Sequence, residues 1–159
     1  MKVTTQDIAL ESLDALAGVD TLVLFVGSED RPLAGLAGFV DWRLCGTLSR
    51  LLKDEFFSGA EGDAVLLPVD GRLPVERVMV LGVGPKAAWS AQRFSEVLSS
   101  AAHRLNKAKV AGVALELPAA GALEDVARGQ ALTSAFVPVF EGERVVVLAE
   151  KSLAKVLPR

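Results

Sequence analysis

Short apolar runs alternate with amphipathic stretches along this chain, and this alternation constrains the fold more than any other feature. Residues 20–26 read DTLVLFV, a nearly continuous apolar run of the kind found in strands that are buried on both faces. Further strands are predicted over residues 3–10, 64–69, 77–83, 112–117 and 144–149. Strands separated by helical segments favour a sheet whose neighbouring strands run parallel, with helices on its faces.

The stretches between these runs have helical periodicity. A long helix is predicted over residues 33–52, because Leu36, Val40, Leu44, Leu48 and Leu52 recur at every fourth position. The glycines at 35 and 38 suggest that it begins near residue 39. A short helix is predicted over residues 12–16, and a third follows the capping residue at 90. A fourth covers residues 123–136, with an apolar stripe that starts at position 126 and a proline at 138 that ends it.

These elements predict a three-layer α/β/α fold with a mixed, largely parallel sheet. A chain of 159 residues with 51% hydrophobic residues can bury one substantial core. No repeat or long linker divides the sequence. We therefore expect a single domain over residues 1–150, followed by a short tail over residues 151–159.

Charge and composition argue against several classes of protein. The formal net charge is −3 and the basic residues are dispersed, so nucleic-acid binding is not expected. Cys45 is the single cysteine, which excludes an internal disulfide and fits a reducing compartment. The N-terminus lacks the apolar segment of a signal peptide, and no run is long enough to cross a membrane. These features predict a soluble, cytoplasmic protein.

Residues that could carry chemistry are isolated from one another. His103, the one histidine, lies off the apolar stripe of its helix and is expected at the surface. Cys45 has no neighbouring base that would activate its thiol, so we interpret it as a core or boundary residue. Five acidic side chains in the first half of the sequence are interpreted as part of a solvated surface. They are Asp41, Asp54, Glu55, Glu61 and Asp63. The sequence thus predicts no catalytic residue, no metal site and no cofactor.

Three segments together resemble the N-terminal, macro-domain-like domain of the leucyl aminopeptidase (M17) family. They are the helix around residues 42–52, the run FSGAEGD at 57–63 and the run VLGVG at 80–84. The likeness extends over residues 3–149. In that family, catalysis depends on two metal ions held in a second domain, and the family's NTDAEGR segment does not occur in this sequence. The resemblance therefore implies the fold of the domain without its catalytic activity.

The same elements are similar to those of macro domains, which bind ADP-ribose. QDI at 6–8 resembles their entry motif, GLAGFVD at 35–41 their glycine-rich loop, and PAAG at 118–121 a second phosphate loop. The resemblance implies a ligand cleft formed by Asp7, Gly35, Gly38, Val40, Ala119 and Gly121. Side chains at 36 and 37 interrupt the glycine-rich loop, which obstructs a diphosphate and implies at most a weak nucleotide-type ligand.

Three functions are compatible with this sequence. The first is a non-catalytic, stand-alone domain that acts by binding an unidentified protein partner or a second copy of itself. Trp42 and Trp89 are the candidate anchors for such a contact. The second is a module that binds a small molecule of the ADP-ribose or nucleotide type. The third is an accessory subunit of a separate leucyl aminopeptidase.

Overall fold

The computed structural model describes residues 1–158, and its centre is a six-stranded sheet in the order β1-β6-β5-β2-β4-β3. The strands are β1 (Lys2–Asp7), β2 (Thr21–Gly27), β3 (Ala64–Pro68), β4 (Arg77–Gly84), β5 (Gly112–Leu115) and β6 (Arg144–Ala149). All neighbouring pairs are parallel except β3 with β4, which are antiparallel. The predicted mixed, largely parallel sheet is confirmed.

Helices cover both faces of the sheet, which confirms the three-layer arrangement. They are α1 (Leu10–Asp14), α2 (Gly35–Arg43), α3 (Thr47–Lys53), α4 (Ala91–Lys107), α5 (Asp125–Ala131) and α6 (Lys151–Ala154). Helices α1 to α3 pack on one face and α4 to α6 on the other, so the sheet separates two hydrophobic clusters. None of the helices within residues 1–158 is long and apolar enough to cross a membrane.

The long helix expected over residues 33–52 is two helices, so that prediction was wrong in part. The backbone turns at Cys45 (φ 56°) and Gly46 (φ 79°), which are both in the left-handed region. Cys45 is consequently exposed on the turn, contrary to the expectation of a core or boundary position. The first of these two helices, α2, begins at Gly35, earlier than the predicted start near residue 39.

Asp41 lies at the junction of these helices and is buried, which corrects its assignment to a solvated acidic surface. Its Oδ1 accepts hydrogen bonds from the backbone N–H groups of Leu48 (2.9 Å) and Ser49 (3.2 Å), and its Oδ2 accepts one from the Ser49 hydroxyl. The residue that precedes α3 is Gly46, which has no side chain to cap the helix. Asp41 therefore caps α3 from the preceding helix.

The other elements follow the predictions with shifted bounds. Ser90 caps α4 by accepting a hydrogen bond from the Arg93 N–H at 3.1 Å, as expected. The helix predicted over residues 123–136 is α5 followed by a π-helical turn, Leu132–Phe136. Val126 is exposed rather than part of the buried stripe, and Arg128 is buried instead. Residues 151–158, expected as a short tail, include α6 and bury Leu153 and Leu157 in the second cluster.

Removing the Asp41 carboxylate should destabilise the fold at the α2–α3 junction. We expect Asp41→Ala to lower the free energy of unfolding by about 1–2 kcal/mol, because two N–H groups of α3 lose their acceptor. Urea unfolding followed by circular dichroism measures this change. Asp54→Ala, at an exposed position beyond the end of α3, is the matched control and should stay within about 0.5 kcal/mol of wild type. An equal effect of both substitutions would contradict the capping role.

Candidate ligand cleft

A cavity of about 380 Å³ lies at the carboxyl ends of β2, β4 and β5. The chain leaves β2 for β3 and β4 on one side of β2 and later enters β5 on the other side. The connections that diverge there leave a crevice, the position at which open α/β sheets bind ligands. Its volume falls within the usual range for small-molecule sites, about 300–1,000 Å³. We call this cavity the cleft.

Carboxylates dominate the polar wall of the cleft. Glu29, Asp30, Glu116 and Glu150 line it, and Lys86 is the one basic residue among the described lining residues. The Asp30 Oδ2 accepts a hydrogen bond from the Gly27 N–H at 2.7 Å, and the Glu29 Oε2 accepts one from the Lys86 N–H at 3.1 Å. The first bond is local to the loop after β2. The second connects that loop to the segment that follows β4.

Of the acidic residues in the wall, Glu116 is the least exposed to solvent. It follows β5 directly, and its Oε2 accepts a hydrogen bond from the backbone N–H of Leu36 at 2.9 Å. Burial raises the pKa of Glu116 above its ordinary value, and the charge of Glu150 raises it further. The Leu36 hydrogen bond and the charge of Arg128 oppose this increase in the pKa.

Arg128 fixes the loop that follows β5 on the other side of the cleft. Its guanidinium donates to the carbonyl oxygens of Leu117 at 2.6 Å and Pro118 at 2.9 Å, and to the Asp125 carboxylate at 3.0 Å. A buried arginine with three partners holds a backbone segment in place, because each broken bond would leave a desolvated polar group. The wall formed by residues 118–120 is therefore preorganised.

The predicted cleft residues occupy different parts of the structure. Gly35 and Ala119 lie in the cleft wall. Gly38 lies on α2, Val40 is fully buried in the first cluster, and Gly121 is exposed in the loop after β5. Asp7 is exposed at the end of β1, the outermost strand on that side of the sheet. The structure thus brings together two of the six predicted residues at the cleft.

The two tryptophans have different surroundings. Trp89 lines the cleft, packs edge-to-face against Phe94 at 5.8 Å between ring centroids, and has the Arg93 guanidinium 5.4 Å from its ring. Trp42, on α2, is 73% exposed. His103 is exposed, as expected. Within residues 1–158 there is no group of three or more His, Cys, Asp or Glu side chains placed to hold a metal ion.

The sequence predictions did not include Glu29, Asp30, Lys86 or Glu116. For Glu116 a signal existed, because it is the one charged residue in the apolar run GVALEL at 112–117. Glutamate is rarely buried without a partner, so a glutamate at the end of a buried strand indicates a specific contact. The identity of that contact, the start of α2, depends on tertiary structure and not on local pattern.

Comparison with known families explains this architecture. The sequence profile described as "Cytosol aminopeptidase family, N-terminal domain" matches residues 22–135. The chain belongs to this family. A probable cytosol aminopeptidase from Geobacter sp. strain M21 is 36% identical over 98 residues, which are 59% of this chain and 20% of that protein. Another, from Geobacter sulfurreducens, is 30% identical over 131 residues, which are 79% of this chain and 26% of that protein.

Solved structures show the same fold at low sequence identity. A mutant of tomato leucine aminopeptidase superposes with a TM-score of 0.67 and 20% identity, covering 98% of this chain and 34% of the tomato chain. The macrodomain of Thermus aquaticus DarG superposes with a TM-score of 0.68 and 15% identity, covering 94% of this chain and 99% of the macrodomain. An Oceanobacillus iheyensis macrodomain mutant with ADPR superposes with a TM-score of 0.66 and 11% identity, covering 97% of this chain and 88% of the macrodomain. The resemblance to an M17 N-terminal, macro-domain-like domain is confirmed.

The raised pKa of Glu116 predicts a pH dependence of stability. In the unfolded chain this carboxyl ionises near its ordinary pKa of 4.5, whereas in the folded chain it ionises at a higher pH. Between these two pH values the folded state therefore binds more protons than the unfolded state. Stability from this group is therefore complete below pH 4.5 and is lost as the pH rises through the folded pKa. We expect Glu116→Gln to remove this loss and to unfold at higher urea than wild type at neutral pH.

Urea unfolding over a pH series measures this effect for wild type and the variant. Glu141→Gln, at an exposed glutamate, is the matched control and should follow the wild-type pH profile. A wild-type advantage over Glu116→Gln that grows with pH would show that the carboxylate is stabilised in the folded state, opposite to the expectation.

Proposed function

We propose that this chain is a non-catalytic, cytoplasmic interaction domain that binds a protein partner through the face formed by α2 and α3. The single observation that carries the proposal is the exposure of Trp42 on α2. Most tryptophans in folded proteins bury a large part of their ring, whereas 73% of this side chain is exposed. Phe56, which follows α3, is 78% exposed on the same layer of helices. We call this surface the α2–α3 face.

The surroundings of Trp42 support a role in binding rather than in folding. The inward side of α2 is filled by Leu36 and Val40, which are fully buried in the first cluster. The neighbouring Arg43 is held by Asp14 of α1, to which its Nε donates at 2.9 Å. Trp42 is thus presented on a helix that is anchored by other residues. Rigid aromatic side chains of this kind supply much of the energy of protein interfaces.

Two kinds of partner fit the family relationship. One is a second copy of this chain. The other is the catalytic chain of a cytosol aminopeptidase, to which this domain would be an accessory subunit. The chain spans 20–26% of the length of the curated relatives described above. The remaining polypeptide of those relatives lies outside the aligned segment, and a separate chain that supplies it is therefore a reasonable partner.

Substitution of Trp42 should weaken partner binding selectively. We expect Trp42→Ala to reduce affinity by about 2 kcal/mol, roughly thirtyfold, as for other aromatic hot spots. Affinity capture at native expression level, with quantitative mass spectrometry, compares wild-type and variant baits. Light scattering of the purified chains measures self-association in parallel.

Val126→Ser is the matched control, because Val126 is an exposed apolar residue on the opposite layer of helices. It should recover the same partner as wild type. Absence of a reproducible partner and of self-association, or equal recovery by the Trp42→Ala bait, would contradict the proposal.

We also expect the purified chain not to hydrolyse leucyl amides, with or without added Mn²⁺ or Zn²⁺. Two-metal hydrolysis needs several carboxylates that place the ions about 3.5–4 Å apart. Here the buried Asp41 and half-buried Glu116 carboxylates already accept backbone hydrogen bonds in separate places. A chromogenic leucyl amide assay tests this expectation. Chelator-sensitive turnover that exceeds a mock-purified control would overturn it, whereas activity only after mixing with a catalytic chain would support the accessory role.

Binding of a small molecule is a second candidate function, and the cleft is the observation that favours it. A preorganised crevice with an aromatic wall, Trp89, and several polar groups has the usual features of a ligand site. The carboxylates in its wall disfavour a diphosphate ligand such as ADP-ribose relative to a neutral or cationic one. A nucleotide is therefore a less favoured ligand of this cleft than a neutral or cationic small molecule.

A further inference from the structure

The contact between Glu116 and the start of α2 joins two distant parts of the sequence inside the cleft. The Leu36 N–H donates to the Glu116 Oε2 at 2.9 Å. A Cβ atom added at Gly35, whose φ is +59°, would lie 2.9 Å from each carboxylate oxygen. The carboxylate therefore lies directly against the first turn of α2, and this contact together with the positive φ favours glycine at position 35.

The first turn of a helix attracts negative charge for a general reason. Its N–H groups have no partners within the helix, and the aligned peptide dipoles leave a partial positive charge there. In α2 the preceding residue, Ala34, provides no side-chain cap, and the first turn has no acidic residue. Glu116, the residue directly after β5, supplies the acceptor that this first turn lacks. An external anion such as a phosphate group would use the same N–H groups.

The rest of the cleft strengthens this effect. The charge of Glu150 disfavours ionisation of Glu116. Glu29 and Asp30 add negative charge to the wall, against one lysine among the described lining residues. An entering phosphate would therefore meet an occupied Leu36 amide and several like charges.

We infer that Glu116 is a built-in anion that occupies the Leu36 amide at the start of α2 and thereby excludes phosphorylated ligands from the cleft. It is a specificity-determining residue, and the cleft accepts neutral or cationic small molecules. The inference concerns the second candidate function and does not depend on the proposed protein partner.

Isothermal titration calorimetry with inorganic pyrophosphate and with ADP-ribose tests the inference. Wild type should give no binding heat. Glu116→Ala frees the Leu36 N–H and space in front of it, and should bind pyrophosphate at least about tenfold more tightly than wild type. Glu150→Ala removes one negative charge from the wall without touching α2 and is the matched control, expected to gain much less affinity than Glu116→Ala.

Three results would overturn the inference. They are binding of pyrophosphate by wild type at the Leu36 amide, an equal gain by Glu150→Ala, and no gain by a correctly folded Glu116→Ala. Circular dichroism establishes the folding of each variant. None of these results bears on the Trp42 proposal, which uses another surface and another readout.

A second measurement on wild type applies if Glu116→Ala does not fold. The backbone amide resonance of Leu36, followed by NMR over a pH series, should shift with ionisation of Glu116. The charged groups facing this carboxyl are Glu150 of the loop before α6 and Arg128 of α5, so Glu150→Ala should move the midpoint downward. A Leu36 resonance insensitive to pH would show that the contact is absent in solution and would overturn the inference.

Discussion

Burial of the parallel sheet on both faces is the constraint on which the rest of this structure depends. In β2, Leu22, Leu24 and Val26 point into the first hydrophobic cluster while Val23 points into the second. A strand of this kind is stable only if helices cover each face, because both sets of side chains must leave water. The connections to β4 and β5 therefore pass on opposite faces, and the cleft opens between them.

The predictable part of the fold is the part that this burial determines. The apolar runs and the stripe from Leu36 to Leu52 identified the strands, the helical layer and the buried face. The same stripe concealed the break at Cys45 and Gly46, because α2 and α3 pack on one cluster and the pattern continues across the turn. Periodicity reports which face is buried, and it does not report whether the backbone is continuous.

Charged residues were the main source of error, and the reason is physical. A pattern of apolar positions assigns polar side chains to solvent, which is correct for His103 but not for the buried Asp41 and Arg128. Each of the two buried residues satisfies backbone groups of a different element: Asp41 the N–H groups of α3, and Arg128 the carbonyls after β5. Such partners are set by tertiary packing, so no local signal in the sequence identifies them. For the cleft, the same limitation applied to Glu116.

The cleft also shows why a shared fold does not transfer a ligand from one family to another. The backbone that superposes on macrodomains places the start of α2 beside the end of β5. The residue that follows β5 can then reach the Leu36 amide, and its charge affects what else can bind there. With a glutamate at position 116, this amide is used within the protein. On our proposal, one side chain thus converts an anion-attracting helix start into part of an acidic wall, while the sheet and its topology stay the same.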